Sequence, residues 1–241
     1  MRKVNAGFEI LTPISKGGIK ELQHIEKIGR VCYKSEDRIT EDGESAKKFV
    51  GMLIRNGHEA MIEHSSLSVK FTVDRGVSHE LVRHRIASFA QESTRYCNYA
   101  NNKFGGECTY IDITNGMHLD TKMKNMSEDE LNAVYDEWVL AMEDSEKHYM
   151  RMLELGATPQ IARSVLPNST KTEITITANY REWRNFFKLR VPKTAHPQMR
   201  EVTIELLEEL KTKIPVIFDD IEFDDIESEN SWFIRVLEDE K

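Results

Sequence analysis

The sequence predicts a single α+β domain, a mostly antiparallel sheet with flanking helices, and three observations carry that expectation. Two segments, "SSLSVKFTVD" (65–74) and "TEITITANY" (172–180), alternate apolar with polar side chains, the period of a strand with one buried face. The stretches around them repeat apolar residues at helical spacing, in helices of unequal length. Neither a regular βαβα rhythm nor a Gly-rich strand-to-helix turn is present, which argues against a doubly wound parallel sheet.

In chain order, residues 18–32 place Ile19, Leu22, Ile25, Ile28 and Val31 on one helical face, and residues 44–56 repeat the pattern up to Gly57, a suitable helix stop. In the first strand Leu67, Val69, Phe71 and Val73 share the buried face. After Gly76, "VSHELVRHR" reads as a short helix and "ASFAQESTRY" (87–96) as a helix end or structured loop; "TYIDI" predicts a short strand. Ser127-Glu128-Asp129-Glu130 fits a capping box that opens the longest helix, running to Leu155 before Gly156. Thr158 and Pro159 supply an N-cap and a first-position proline for a helix ending near Pro167. Residues 181–190 and 197–214 complete the helices. The domain is placed at 1–216, followed by an acidic C-terminal extension at 217–241. Its aromatic residues Phe218, Phe223 and Trp232 either pack on the body or sit in a solvated tail.

The 241 residues are 39% hydrophobic and 31% charged, an ordinary globular balance. No apolar run approaches the ~20 residues of a membrane span, and the N-terminal segment lacks the apolar block of a signal peptide, so a cytoplasmic protein without a membrane partner is expected. Cys32, Cys97 and Cys108 form neither an even set nor a CxxC pair, which points to reduced thiols. A net charge of −8 argues against broad attraction to nucleic acid, so an anionic ligand must be met locally.

Two patterns imitate metal sites. "HELVRH" sets its histidines five apart rather than the four of HExxH, so on a helix they diverge by roughly 140°. "HEAMIEH" sets them six apart, and no metal site is expected. No GxSxG surrounds Ser88 or Ser93, and GxGxxG and GxxxxGK[ST] are absent. What remains is "RHRIASFAQESTRY" (83–96). If residues 79–86 are helical, Arg83 and Arg85 point to different sides. Guanidinium forks donate parallel charge-assisted bonds to phosphate, and Ser93, Thr94 and the backbone near Arg95 add neutral donors. A solvated surface face is the competing reading.

Arg83-His84-Arg85 followed by Ser93, with Arg95 two further on, resembles the signature of the flavin-dependent thymidylate synthases. "NGHEAMIEH" upstream, "ATPQIARSVLP" and "ANYREWRNFFKLR" followed by "AHPQMRE" extend the resemblance over roughly residues 20–210. It implies a homotetramer with active sites shared between subunits. It also implies conversion of dUMP to dTMP with methylenetetrahydrofolate as carbon donor and NADPH reducing equivalents passed through FAD. Carried over position by position, the resemblance puts Gln91, Ser93, Thr94 and Arg95 along the nucleotide, Glu80 and Arg83 nearby, and Arg163 entering from a neighbouring subunit. Arg190 matches the arginine held against the uracil and is the expected catalytic residue, because a fixed cation stabilises charge developing on the ring. Ser93 is assigned to binding rather than attack. The flavin positions are His58, Glu63, Arg83, His84, Arg85, Asn179, Arg181 and Asn185, where cationic donors favour the anionic reduced cofactor.

The chain departs from the family pattern at Cys32, Ala60, Glu80, Gln91 and Thr194. Glu80 matters most, since a carboxylate near phosphate repels unless it is protonated or paired with an arginine such as Arg83. Two alternatives stay open: a degenerate relative that binds without turnover, made possible by Glu80, Gln91 and Cys32, and a nucleic-acid-binding module using the Arg-rich helix, against which the net charge weighs. Bland roles are also open to single residues: a helix end for His58, a strand end for Asn179, and solvent-facing positions for Arg181 and Arg184.

Overall fold

The computed structural model describes residues 1–101 and 105–222. Its first half runs β1 (Arg2–Val4), β2 (Gly7–Ile10), α1 (Ile19–Val31), α2 (Glu44–Arg55), β3 (Ser66–Asp74), α3 (Arg75–Leu81), β4 (Ala87–Gln91) and β5 (Thr109–Ile111). Then follow α4 (Thr114–Leu119), α5 (Glu128–Glu154), α6 (Pro159–Ala162), β6 (Lys171–Asn179), α7 (Tyr180–Arg190), α8 (Pro197–Lys213) and α9 (Pro215–Phe218). The two alternating segments are β3 and β6, and they pair antiparallel along their whole length, from Ser66↔Asn179 to Asp74↔Lys171. With β2 and β4 at the edges they form an antiparallel sheet of order β2-β3-β6-β4, beside a two-stranded parallel pair, β1-β5.

The apolar face of the sheet, with Val69 and Phe71 from β3 and Ile174 and Ile176 from β6, packs on Trp183, Phe186 and Phe187 of α7 and on the Leu206–Leu210 region of α8. Trp183 reconciles its polar atom with this core by donating Nε1–H to Leu67 O at 3.0 Å. A second cluster, including Tyr99, Tyr110, Met142 and Tyr149, lies under α5. The expected capping box is present in full: Ser127 Oγ accepts from Glu130 N, and the Glu130 carboxylate accepts from Ser127 N. At the end of α2, Gly57 N donates to Ile54 O and His58 N to Leu53 O, a Schellman closure that needs the φ of +70° found at Gly57.

Several expectations are corrected. The helix after Gly76 ends at Leu81, so Arg83, His84 and Arg85 lie in the turn beyond it, and the argument that places Arg83 and Arg85 on different sides of one helix does not hold. Residues 87–91 are a strand, not a helix end or loop. Ala87, Ser88 and Ala90 blur the alternation there, and the strand owes its form to pairing with β6, Ala87↔Ala178 through Gln91↔Ile174. The short β1, β2 and α4 carry too few residues to show a period. Thr158 makes no side-chain cap, and the helix it opens lasts four residues before a 3-10 turn at Arg163–Val165. At the expected start of the acidic extension, Ile217, Phe218 and Ile221 are buried in the main core. Arg184, read as a solvent-facing residue, is 2% exposed: it donates to Ile217 O and to both Asp220 oxygens, at 2.6 and 2.8 Å. Phe223 and Trp232 lie outside the described residues.

Candidate active site

The β6–α7 junction organises the site. Asn179, the last residue of β6, caps α7 by accepting from Glu182 N at 2.8 Å, so the strand passes into the helix without a loop. Three turns later, at the C-terminal end of α7, stands Arg190. Its Nε donates to His84 Nε2 at 3.0 Å, its Nη1 to Glu80 Oε2 at 2.9 Å and its Nη2 to Glu80 O at 3.5 Å. His84 is buried, with its ring edge-on to Phe186 at 4.9 Å, and its Nδ1 is 3.1 Å from Glu182 Oε1. Burial pushes the His84 pKa below its ordinary value; the bond to Glu182 opposes that shift, and the Arg190 charge adds to it. On the other side of Glu80, His196 Nδ1 lies 3.1 Å from Oε1 but off the hydrogen-bonding line.

Beside this chain of contacts is a cavity of about 500 Å³ lined by Glu59, Glu63, Ile86, Asn179, Arg181, Glu182, Asn185 and Lys188. Arg181 Nη1 donates to Glu63 Oε1 at 2.6 Å, and Asn185 Nδ2 lies 3.4 Å from both oxygens of Glu182. At the opposite end of β4, Thr94 is 4% exposed and accepts from Arg163 Nη1 at 3.0 Å. Ser93 Oγ accepts from Arg95 N at 3.3 Å, and the exposed Arg95 guanidinium lies over the Tyr96 ring. Gln91 instead turns toward the sheet, donating to Ser78 Oγ at 2.9 Å and Thr172 Oγ1 at 3.3 Å.

Three groups of expected residues thus come together: Glu80, His84 and Arg190; Glu63, Asn179, Arg181 and Asn185; and Thr94 with Arg163, here of the same chain, where a neighbouring subunit's was expected. Glu80 finds its arginine in Arg190, not in Arg83. Arg83 and Arg85 are exposed, without a side-chain partner among the described residues, and His58 is exposed at the Schellman end of α2. Residues 93–95 follow the C-terminal end of β4, where Gln91 reaches Ser78, two residues before the Glu80 that anchors Arg190. The sequence did not single out Glu182, Glu59 or Lys188 as site residues. Glu182 reads locally as an ordinary first-turn acid, and its contact with His84 bridges 98 positions.

A family model described as thymidylate synthase complementing protein matches residues 19–216. The chain belongs to that family. A flavin-dependent thymidylate synthase of Corynebacterium aurimucosum is 32% identical over 214 residues, covering 86% of this chain and 82% of the relative. One from Mycobacterium bovis is 31% identical over 206 residues, covering 82% and 78%. Among solved structures, a UMP/dUMP methylase, PolB from Streptomyces cacaoi bound with 5-Br dUMP, aligns with a TM-score of 0.75 at 23% identity, over 91% of this chain and 96% of that one. That likeness establishes the fold, the expected α+β arrangement of antiparallel sheet and helices. Within the described residues of this family member, no helix is long and apolar enough to cross a membrane, and no group of three His, Cys, Asp or Glu side chains could hold a metal ion.

Proposed function

We propose that this chain is a flavin-dependent thymidylate synthase that converts dUMP to dTMP, taking the carbon from methylenetetrahydrofolate and reducing equivalents from NADPH through FAD, in the cytoplasm. The observation that carries the proposal is Arg190, anchored by His84 and Glu80 next to a cavity rich in hydrogen-bond donors. Those anchors leave an N–H on each terminal nitrogen of Arg190 uncommitted, enough to face the uracil oxygens and N3. The pairing of Glu80 with Arg190 supports a working site over a degenerate one, since the carboxylate has the arginine partner that relieves its repulsion of phosphate.

The cavity suits the flavin ring system. Its volume is in the usual range for small-molecule sites, and Arg181, Asn179 and Asn185 offer the cationic and amide donors that a pyrimidine edge requires. Asn179 retains its amide N–H groups because only its oxygen serves the helix cap. FAD, when bound there, supplies the hydride chemistry that no side chain provides. Glu63 and Arg181 would hold it, with Asn179 and Asn185; His84 acts from behind, since Glu182 and Arg190 take both its ring nitrogens, and the exposed His58, Arg83 and Arg85 remain available to ligands beyond the cavity.

Ser93, Thr94, Arg95 and Arg163 are assigned to the nucleotide phosphate and sugar, with Gln91 and Arg83 at the margin. A site shared between copies is part of this reading, one chain's residues 93–95 facing the Arg190 of a neighbour. A homotetramer provides such neighbours. Purified protein should be yellow, and it should release tritium from 5-tritiated dUMP only with methylenetetrahydrofolate and NADPH present. Colourless protein that does not take up FAD, or that binds oligonucleotides with a steep salt dependence instead, overturns this reading.

A further inference from the structure

Glu182 has no role in the reading given so far, yet its carboxylate ends a continuous line of contacts: Glu182 Oε1 to His84 Nδ1 at 3.1 Å, His84 Nε2 to Arg190 Nε at 3.0 Å, and Arg190 Nη1 to Glu80 Oε2 at 2.9 Å. We propose that Glu182 is a positioning residue: by accepting the Nδ1 proton of His84 it keeps Nε2 an acceptor for Arg190 Nε–H, which fixes the plane and reach of the guanidinium. The inference deepens the proposed function, since it rests on Arg190 being the residue that meets the substrate.

Hydrogen-bond chemistry leaves one arrangement. An arginine Nε–H can only donate, so the contact with His84 requires a lone pair on Nε2. A neutral imidazole carries a single N–H, which then belongs to Nδ1 and points at Glu182. The opposite tautomer would set the Nε2–H against the Arg190 Nε–H and a bare nitrogen against the Glu182 carboxylate. Both conflicts would be largely buried, since His84 is 6% and Glu182 8% exposed. The doubly protonated ring keeps Glu182 but loses Arg190. The charged groups facing the ring are Glu182 and Arg190 from α7, with Glu80 of α3 behind Arg190. Burial and the Arg190 charge both hold the ring neutral.

Glu182 is itself placed firmly. Its backbone N–H is capped by Asn179, and its carboxylate oxygens lie within 3.4 Å of the Asn185 amide. An acid whose only task is to complement the helix dipole stays in solvent; this one turns inward to a histidine. The line therefore ties the wall of the cavity, at Asn179 and Asn185, to the arginine at the other end of the same helix.

The test uses the FAD-loaded oligomer with 15N-labelled histidine. In the wild type the His84 ring should show the neutral Nδ1–H signature at neutral pH. Glu182→Gln keeps an oxygen acceptor, so it should preserve that signature and hold kcat within about threefold, whereas Glu182→Ala should scramble the tautomer and lower kcat by roughly 100-fold, with a much smaller change in KM for dUMP. A wild-type ring protonated on Nε2, a Glu182→Ala enzyme with unchanged kcat, or a Glu182→Gln enzyme as slow as the Ala variant overturns the proposal. Should Glu182→Ala fail to fold, the wild-type ring signature and the Gln variant still decide. A wild type with the Nδ1–H ring that binds FAD but leaves dUMP untouched refutes the proposed function, and with it the purpose of the lock, while the tautomer itself stands as measured.

Discussion

Replacing Glu201 by Gln should stabilise the fold at neutral pH, by an amount that grows with pH. Glu201 lies on α8, 2% exposed; Oε1 accepts from Asn115 Nδ2 at 3.0 Å, and Oε2 has no partner. Burial pushes its pKa up to about 8 from an ordinary 4.5; the Asn115 bond opposes the shift, while Glu205, Asp112 and Asp74 add to it. A raised pKa in the fold means that the native state binds the proton more tightly than the unfolded chain. Stability from this group is therefore complete below pH 4.5 and is lost as the pH rises toward about 8. About 2.5 pH units separate the unfolded pKa from pH 7, and at 1.36 kcal/mol per unit folding with a protonated Glu201 costs about 3 kcal/mol there. Gln keeps the oxygen that Asn115 needs and never titrates. Its NH2 brings two N–H groups to the place where the protonated acid has one O–H, a pH-independent cost of about 1 kcal/mol that offsets part of the gain. Denaturant unfolding of both proteins at several pH values reads the change: the variant gains about 3 kcal/mol on the wild type between pH 4.5 and pH 7, and the gain levels off above about pH 8. A difference that stays flat with pH, or a variant less stable than the wild type near pH 7, would refute the reasoning.

Arg190→Ala should lower kcat by roughly 100-fold or more while the flavin absorbance of the purified protein is retained; loss of flavin with normal turnover on reconstitution would contradict the assignment. Co-expressed Arg95→Ala and Arg190→Ala chains, each inactive alone, should recover part of the wild-type turnover in mixed oligomers, and no recovery would count against a shared site. Gly29→Ala brings a Cβ to 2.7 Å from Phe49 Cε1, so it should destabilise the α1–α2 packing by about 1–3 kcal/mol in thermal melts. Because the His84 pKa is depressed, the wild type should lose stability on acidification from its ordinary value, 6.5, down to the folded one, and activity only around the folded value; His84→Gln should flatten the acid limb of stability.

What could be seen in the sequence followed from local physics. β3, β6, α1, α2, α5 and α7 announce themselves because burial of one face imposes a period over nine or more residues, and Ser127 and Gly57 mark their helix ends by chemistry that acts within one turn. The strand β4 was hidden because Ala87, Ser88 and Ala90 carry no contrast; only β6 makes it a strand. The site divides in the same way. Arg190, His84 and Arg181 stood out through the wording of their segments, whereas the pairing of Glu80 with Arg190 and of Glu182 with His84 crosses about a hundred positions and has no local trace.

The seamless passage from β6 into α7 makes the sheet a jig for the chemistry. Tyr180 N donates to Ser65 O and Asn179 is in register with Ser66, so the Glu63–Arg181 pair sits a few residues outside a fixed strand register. One extra residue between Asn179 and Tyr180 would rotate the helix by about 100° and swing Glu182, Asn185 and Arg190 away together. An insertion at residues 192–195 would shift only the neighbourhood of His196. Length variation among functional homologues is therefore tolerable at the second point and not at the first.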